Sequence, residues 1–496
     1  QGRPPLPRAV GDVARLRNRT LTASHGQLER RSSWWRAAAE GAAAADRLGA
    51  ARSERVKAAM VHAWEGYRAR AWGHDEIKPG SGGFTDSWGG MGMTILDSLD
   101  TLWLLGMHTE FAEATEWVRS ELDFAHVETI SVFETTIRAL GGLLGAHALS
   151  GVPLFAERAR ELGDRLLPAF QTHSGLAAPW LRLRDGVVDA QKVRTSIAEA
   201  GSLQLEFGRL SEVTRAPKYK DAAARAHRIF FERFRAGAKA KVQDGLFPVD
   251  MDLQHGNLSG RISFGSSGDS FYEYLLKCWL AQGRAPDSPL LAMYEGAVEG
   301  LQRSMIHSSQ PGQLKYVAGP DHRMEHLACF LPALLALGAH LRPQAPGRRA
   351  EFALAEDLAR TCHELYRRTA TGLAPEAVVF GRRSSSDFEV DRPGRMWSIL
   401  RPEAAESFFV LHELTGDPKY RDWGHEMFEA FERHCRAPFG YGAHPDVSKP
   451  ELHCCAGNDD KEPTFFIAET LKYLYLLQDP RRQISLDDYV LNTEAQ

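Results

Sequence analysis

No run of about 18 apolar residues occurs in the 496-residue sequence, so nothing in it reads as a membrane span. The body also lacks a Gly/Ser-rich or Pro-rich linker and any low-complexity break. Length alone would allow about three domains, but no seam divides them. Basic charge is not in excess: 60 Lys and Arg stand against 64 Asp and Glu, a net charge of −4, which argues against a nucleic-acid-binding surface. The 6 cysteines fit no small disulfide scaffold in a chain this long, and no CxxC pair suggests zinc. What remains, 43% hydrophobic and 25% charged, is an ordinary globular composition.

The chain opens on Gln1, and a signal peptide or anchor ahead of it is expected. Residues 1–33 are Arg-rich without periodicity. Residues 1–50 are accordingly expected to form a stalk or tail, and residues 51–496 a single domain. Two glycosylation sequons, Asn18-Arg-Thr20 and Asn257-Leu-Ser259, are short enough to arise by chance. From Trp34 to about Trp72, Ala, Glu and Arg with apolar residues at helical spacing predict a helix. HDEIKPGSGGF, residues 74–84, reads as a loop, and a helix follows through Leu96, Leu99 and Trp103. Asp97 and Asp100 share another face of it, open to a cleft or to solvent.

The stretch SVFETTIRALGGLLGAHALS, residues 131–150, organises the rest. Phe133, Ile137, Leu140 and Leu144 recur at helical spacing. The adjoining side carries Glu134, Arg138, Gly142 and Gly145, small residues where a solvated face would carry Lys and Glu. A helix that is apolar or small nearly all round is a buried one. Its two formal charges lie one turn apart and can pair. A buried carboxylate is costly unless paired. The pair is therefore either a structural bridge or part of a site.

An internal repeat separates the two readings. Residues 210–221 read LSEVTRAPKYKD and residues 411–422 read LHELTGDPKYRD; LSGVPLF at 149–155 is a fainter copy. Aligned on Ser150, Thr214 and Thr415, the copies fall 64 and 201 residues apart, the latter about three steps of 67. Each lies between helical patterns, so the unit is helix, short loop, helix, with room for about seven units. Acidic residues keep the same beat. Glu134, Glu199, Asp269, Glu403 and Glu469 each open or occupy an apolar helix, at gaps of 65, 70, 134 and 66, and the long gap holds Glu325-His326. Singly, each has a plain explanation: an N-cap for Asp269, a first-turn acid after Pro402 for Glu403, a core histidine for His326. Together, on helix pairs closed into a ring, they would point into one cavity. Many carboxylates with aromatic neighbours and no Cys/His ligand cluster suit sugar chemistry. Glycoside hydrolysis needs one protonated acid and one carboxylate acting on water, and a third acid nearby raises the first by repulsion.

The motifs FTDSWGGMGMTILDSLDTLWLLGM, VFETTIRALGGLL, GDSFYEYLLK, MEHLACFLP, LRPEAAESFF, FFIAETLKYLYLL and the terminal NTEA resemble, in order, the class I α-1,2-mannosidases, glycoside hydrolase family 47. The resemblance runs from about Arg55 to Gln496. It implies an all-α (αα)7 barrel with short β-hairpins at its loops and a C-terminal segment plugging it. It also implies an inverting mechanism, a bound calcium ion and removal of terminal α-1,2-linked mannose from high-mannose N-glycans. By the same resemblance Glu134 is the general acid with Arg138 beside it, Glu403 the base on water, and Asp269 a third essential carboxylate. Which of Glu134 and Asp269 delivers the proton stays open. Glu199, Glu325, His326, Glu406 and Glu469 match residues around the sugar or the metal's waters, and Phe465 the ring under the mannose. Thr493 matches the direct calcium ligand, and Cys329 and Cys362 a disulfide pair.

Some positions depart from the pattern. Glu325 stands where the family often has Asp, the chain reads NTEAQ where NTEAHP is common, and Ser267 occupies a variable position two before Asp269. Members that remove a single mannose carry Arg there. Ser267 instead implies the Golgi-type and fungal subgroup, and several mannoses removed. The resemblance further implies a secretory-pathway or secreted protein acting as a monomer on glycoproteins, with no nucleic acid and no membrane contact by the catalytic domain. Two rivals remain. One is the lectin-like quality-control group of the same barrel, from which the Cys329–Cys362 pair is typically absent. The other is an unrelated α-toroid such as a terpene cyclase, which would want Asp-rich magnesium motifs.

Overall fold

A computed structural model describes residues 25–189, 191–383, 385–455 and 460–496. The Asn18 sequon and the first part of the expected stalk lie outside the described residues. Ala50–Gln496 forms one compact unit.

Its helices come in alternating pairs. The members that bury one face are α1 (His25–Arg70, over its residues 50–70), α3 (His108–Ser120), α5 (Pro153–Leu166), α7 (Lys218–Ala236), α9 (Pro289–Ser304), α11 (Arg348–Arg367) and α13 (Lys419–His434). The more deeply buried members are α2 (Met93–Leu104), α4 (132–150), α6 (Gln204–Thr214, which leaves Arg209 and Glu212 exposed), α8 (Asp269–Ala281), α10 (Leu331–Leu341), α12 (Glu403–Thr415) and α14 (Leu471–Gln478). The buried helices touch in chain order, and the turn leading into α14 closes the ring on α2. Among the described residues, seven helix pairs in a closed ring therefore answer the 67-residue beat of the sequence.

The α1 helix begins at His25, ahead of the predicted Trp34, where Gln27, Leu28, Glu29, Arg30 and Arg31 are good helix formers. Residues 74–84 are not a plain loop. Glu76–Lys78 pairs antiparallel with Gly83–Thr85 as a hairpin, its turn supplied by Pro79–Gly82. α2 lacks a side-chain cap of its own. Asp75 instead accepts the backbone N–H groups of Trp88, Gly90, Met91 and Met93, which fixes the glycine-rich entry to the helix.

The repeat has a backbone cause. Gly151, Arg215 and Gly416, each one residue past the aligned Ser150, Thr214 and Thr415, all take left-handed φ, +69°, +56° and +69°. That conformation ends an inner helix, and Pro153, Pro217 or Pro418 then starts the outer one.

The organising stretch is α4, made of Val132–Glu134, a π-helical turn Thr135–Leu140 and Gly141–Ser150. Its small-residue side is closely packed by its neighbours. A Cβ added to Gly142 would sit 2.1 Å from the Leu96 carbonyl oxygen on α2. One added to Gly141 would sit 2.8 Å from Asn492 Nδ2 in the C-terminal turn.

Candidate functional site

Asp269 and Glu403 are the first residues of α8 and α12; Glu134 and Glu469 lie in or beside the irregular turns that begin α4 and α14. Inner helices of an alternating ring run parallel, so their N-terminal ends gather at one end of the barrel. There the helix dipoles favour anions. A cavity of ≈ 360 Å³ opens at this end, lined by Glu134, Arg138, Glu199, Ser267, Asp269, Glu273, Arg401, Glu403, Glu406, Phe465, Glu469 and Thr493, with Glu494. Two of its charged residues, Arg138 and Glu469, lie within π-helical turns, Thr135–Leu140 and Phe466–Thr470. Such an insertion re-aims side chains and recurs at functional sites.

The acids differ sharply in proton affinity. Burial pushes Asp269 up to about 7, helped by the charges of Glu403 and Glu273. Among the described residues its one polar partner at hydrogen-bond distance is the N–H of Ser270, 2.9 Å from Oδ1. Burial acts on Glu403 in the same direction but is outweighed. His326 Nδ1 at 3.1 Å and the Arg401 guanidinium, with Nη1 3.8 Å away, hold its carboxyl below the usual range. Both side chains are partly open and line the cavity. Burial, with Glu403 among the surrounding charges, raises Glu469 well above an ordinary glutamate. Glu406 is raised too, by burial, against the pull of Lys277.

Glu134 Oε2 accepts from Arg138 Nε at 2.8 Å. The same guanidinium lies 5.7 Å from the Phe465 ring centroid and bonds to Glu494. Glu199 Oε2 closes a capping box by accepting from Ser196 N at 2.8 Å, and its helix turn faces the cavity. Two expected residues stand outside the lining. His326 sits behind Glu403, its other ring nitrogen 2.8 Å from Tyr366 Oη. Glu325 is buried beneath the Gly265–Ser267 loop, accepting from Ser266 N at 2.8 Å and Arg323 Nη1 at 3.0 Å. Asp97 and Asp100 are neither cleft nor surface acids. They are buried inside the ring against Arg138 and Lys472. Ser267 lines the cavity with a left-handed backbone, φ +73°.

Sequence reasoning missed Arg401, which is clamped by Glu376 at 2.7–2.9 Å, and the Glu273–Lys277 pair. The second was legible: two charges four apart inside the apolar run FYEYLLKCWL repeat the logic of Glu134 and Arg138. A disulfide joins Cys329 to Cys362, and Cys278 is a buried thiol. A larger cavity, ≈ 910 Å³, borders Asn492 and Gln496, but its lining is mainly apolar and holds none of the five spaced acids. The smaller cavity, which gathers those acids, is therefore the candidate site.

No helix among the described residues is long and apolar enough to cross a membrane. The family model for glycosyl hydrolase family 47 matches residues 59–496. The chain is 42% identical over 457 residues to the mannosyl-oligosaccharide 1,2-alpha-mannosidase MNS1 of Arabidopsis thaliana, covering 90% of this chain and 78% of that one. It is 41% identical to the human endoplasmic reticulum mannosyl-oligosaccharide 1,2-alpha-mannosidase, covering 88% and 62%. It is 38% identical to the mouse mannosyl-oligosaccharide 1,2-alpha-mannosidase IB, covering 89% and 69%. Among solved structures, the alpha-1,2-mannosidase from Trichoderma reesei superposes with a TM-score of 0.81 at 27% identity, over 90% of this chain and 98% of that one.

Proposed function

Because the chain belongs to glycosyl hydrolase family 47, we propose that it is an inverting exo-glycosidase that trims terminal α-1,2-linked mannose from high-mannose N-glycans in the secretory pathway. One observation carries the mechanism. Across a single cavity, Asp269 holds its proton up to about 7 while Glu403 is kept ionised below the ordinary range. A glycosidase needs such a division between a protonated acid and a charged base.

In this reading Glu403 removes a proton from the attacking water, oriented by His326 and Arg401. A protonated carboxyl delivers a proton to the leaving oxygen. The charge environment favours Asp269 for that task and leaves Glu134, salt-bridged to Arg138, to hold the sugar or a relaying water. Phe465 offers a ring face to the mannose, and Glu199, Glu406 and Glu469 offer oxygens to its hydroxyls. Glu325 acts at one remove, by holding the Ser266–Ser267 backbone.

A calcium ion fits at Thr493. Among the described residues no hydrogen bond engages its hydroxyl or carbonyl oxygen, and it faces a cavity rich in carboxylates. No cluster of His, Cys, Asp or Glu among the described residues offers an alternative metal cage. Two hard oxygens from one residue leave the remaining positions of a 6–8-coordinate ion to water and sugar hydroxyls. Bound there, the ion would anchor and polarise hydroxyl oxygens of the mannose.

The test is to incubate purified nine-mannose N-glycan with the protein, with and without chelator, and follow the glycan mass. Stepwise loss of hexose, abolished by chelator and restored by calcium, is expected. An unchanged glycan in calcium would overturn the reading.

A further inference from the structure

Thr493 lies in a short turn, residues 492–496, that hangs between two helices and must be held in place by something. Within the turn, Asn492 Oδ1 accepts from Glu494 N at 2.9 Å and Gln496 N at 2.8 Å, Asn492 N donates to the Gln496 carbonyl at 3.1 Å, Ala495 N donates to the Asn492 carbonyl at 3.2 Å, and Ala495 has a left-handed φ of +60°. Around it, Asn492 Nδ2 donates to the Ile137 carbonyl at 3.0 Å and to Glu206 Oε1 at 2.8 Å, Gln496 Nε2 donates to the Asp97 carbonyl at 3.0 Å, and Arg138 bonds to Glu494; the main-chain carbonyls flanking Thr493 are held by two buried lysines. Lys472 of α14 is wholly buried and donates to Asp100 Oδ2 at 2.7 Å and to the Ala495 carbonyl at 2.8 Å. Lys277 of α8 is buried as well. It donates to the Asn492 carbonyl at 3.3 Å, to Glu406 at 3.4 Å and to Glu273. The ammonium groups thus seize main-chain oxygens on either side of Thr493, one residue before it and two after it.

Burying a lysine is expensive. A pair such as Lys472–Asp100 can often be replaced by apolar side chains without loss of stability. Two such lysines converging on one turn therefore ask for a reason other than stability. We propose that Lys277 and Lys472 are positioning residues: they clamp the carbonyls of Asn492 and Ala495 so that Thr493 presents its hydroxyl and carbonyl oxygens to the cavity in the arrangement that binds calcium. Lys277 also ties the turn to Glu273 and Glu406, which line the same cavity. The metal ligand and the sugar-facing acids thereby share one anchor. This inference rests on the calcium reading above.

The experiment removes one clamp without leaving a stranded charge. The double variant Lys472→Met/Asp100→Leu replaces the pair by apolar groups of similar length, and the wild type is carried in parallel. Thermal unfolding in chelator should match the wild type in chelator. Calcium affinity, read by calorimetric titration of the ion alone, should fall by about 10- to 100-fold, the usual cost of losing a group that orients a metal ligand. The amides of residues 493–496 should exchange hydrogen faster than in the wild type, both measured in chelator. A folded double variant with calcium affinity within about threefold of wild type would overturn the clamp. Should the double variant not fold, Lys472→Arg keeps the charge on Asp100 but carries a planar fork in place of a point donor. It should still weaken calcium by several-fold, and wild-type affinity in it would overturn the proposal equally. A wild type that binds no calcium would instead overturn the calcium reading itself, an outcome visible before any variant is made.

Discussion

His326 Nδ1 lies 3.1 Å from Glu403 Oε2, and its other ring nitrogen lies 2.8 Å from Tyr366 Oη. The imidazole is thus fixed at both ends, and Glu403 gains a partner on the side away from the cavity. A carboxylate bonded in its charged form loses its proton at lower pH. The pH profile of kcat/KM follows from this geometry. The base must be ionised, so activity rises as pH climbs through the lowered value of Glu403. The acid must be protonated, so activity falls as pH passes the value of Asp269, about 7. His326→Asn should move the acidic limb upward and leave the alkaline limb in place. A profile flat from pH 4 to 9 (roughly the span of a carboxylate pair) would contradict both assignments.

Glu403→Gln and Asp269→Asn should each lower kcat by about 10²–10⁴, the usual contribution of a general base or acid, with KM changed far less. If the acid is Asp269, its variant alone loses the alkaline limb. Proton NMR of the first product should show β-mannose, because water attacks the face opposite the leaving group in an inverting site. α-Mannose appearing first would count against inversion.

Ser267 lines the cavity on a left-handed backbone, φ +73°. An arginine placed there inherits that conformation and adds a long five-donor fork. Ser267→Arg should therefore narrow specificity, slowing the later mannose cleavages more than the first. The wild type should run from nine-mannose toward five-mannose glycan. A wild-type time course that stalls at one eight-mannose isomer would remove the basis for this prediction.

The Cys329–Cys362 disulfide spans 33 residues and ties the turn leading into α10 to α11. Loop-closure entropy suggests a contribution of roughly 3–4 kcal/mol. Linked peptides should be found by mass spectrometry without reductant, as expected for an oxidising compartment. Replacing both cysteines by alanine should lower the thermal midpoint while KM stays near wild type. Free alkylation of both thiols in native protein would refute the bond.

Chain order and periodicity carried much of the architecture. The stripe in residues 131–150, the copies at 210–221 and 411–422, and the acids spaced near 67 residues apart are local patterns. They follow from which residues end a helix, which start one, and which can be buried, and those choices are made within a few residues. The site was only partly legible. Glu134, Glu199, Asp269, Glu403 and Glu469 were readable because each breaks an apolar helix at an equivalent place. Arg401 was not, since its surroundings come from Glu376 across the chain. The standing of Asp97 and Asp100 was decided only when Arg138 and Lys472, far away in sequence, closed over them. The same holds for the retreat of His326 behind Glu403, for the two π-helical turns, and for the clamp around Thr493. Proton affinity depends on solvent exclusion and on charges a few ångströms away through space. Asp269 and Glu403 both open inner helices with an acid, yet folding surrounds one with carboxylates and the other with His326 and Arg401.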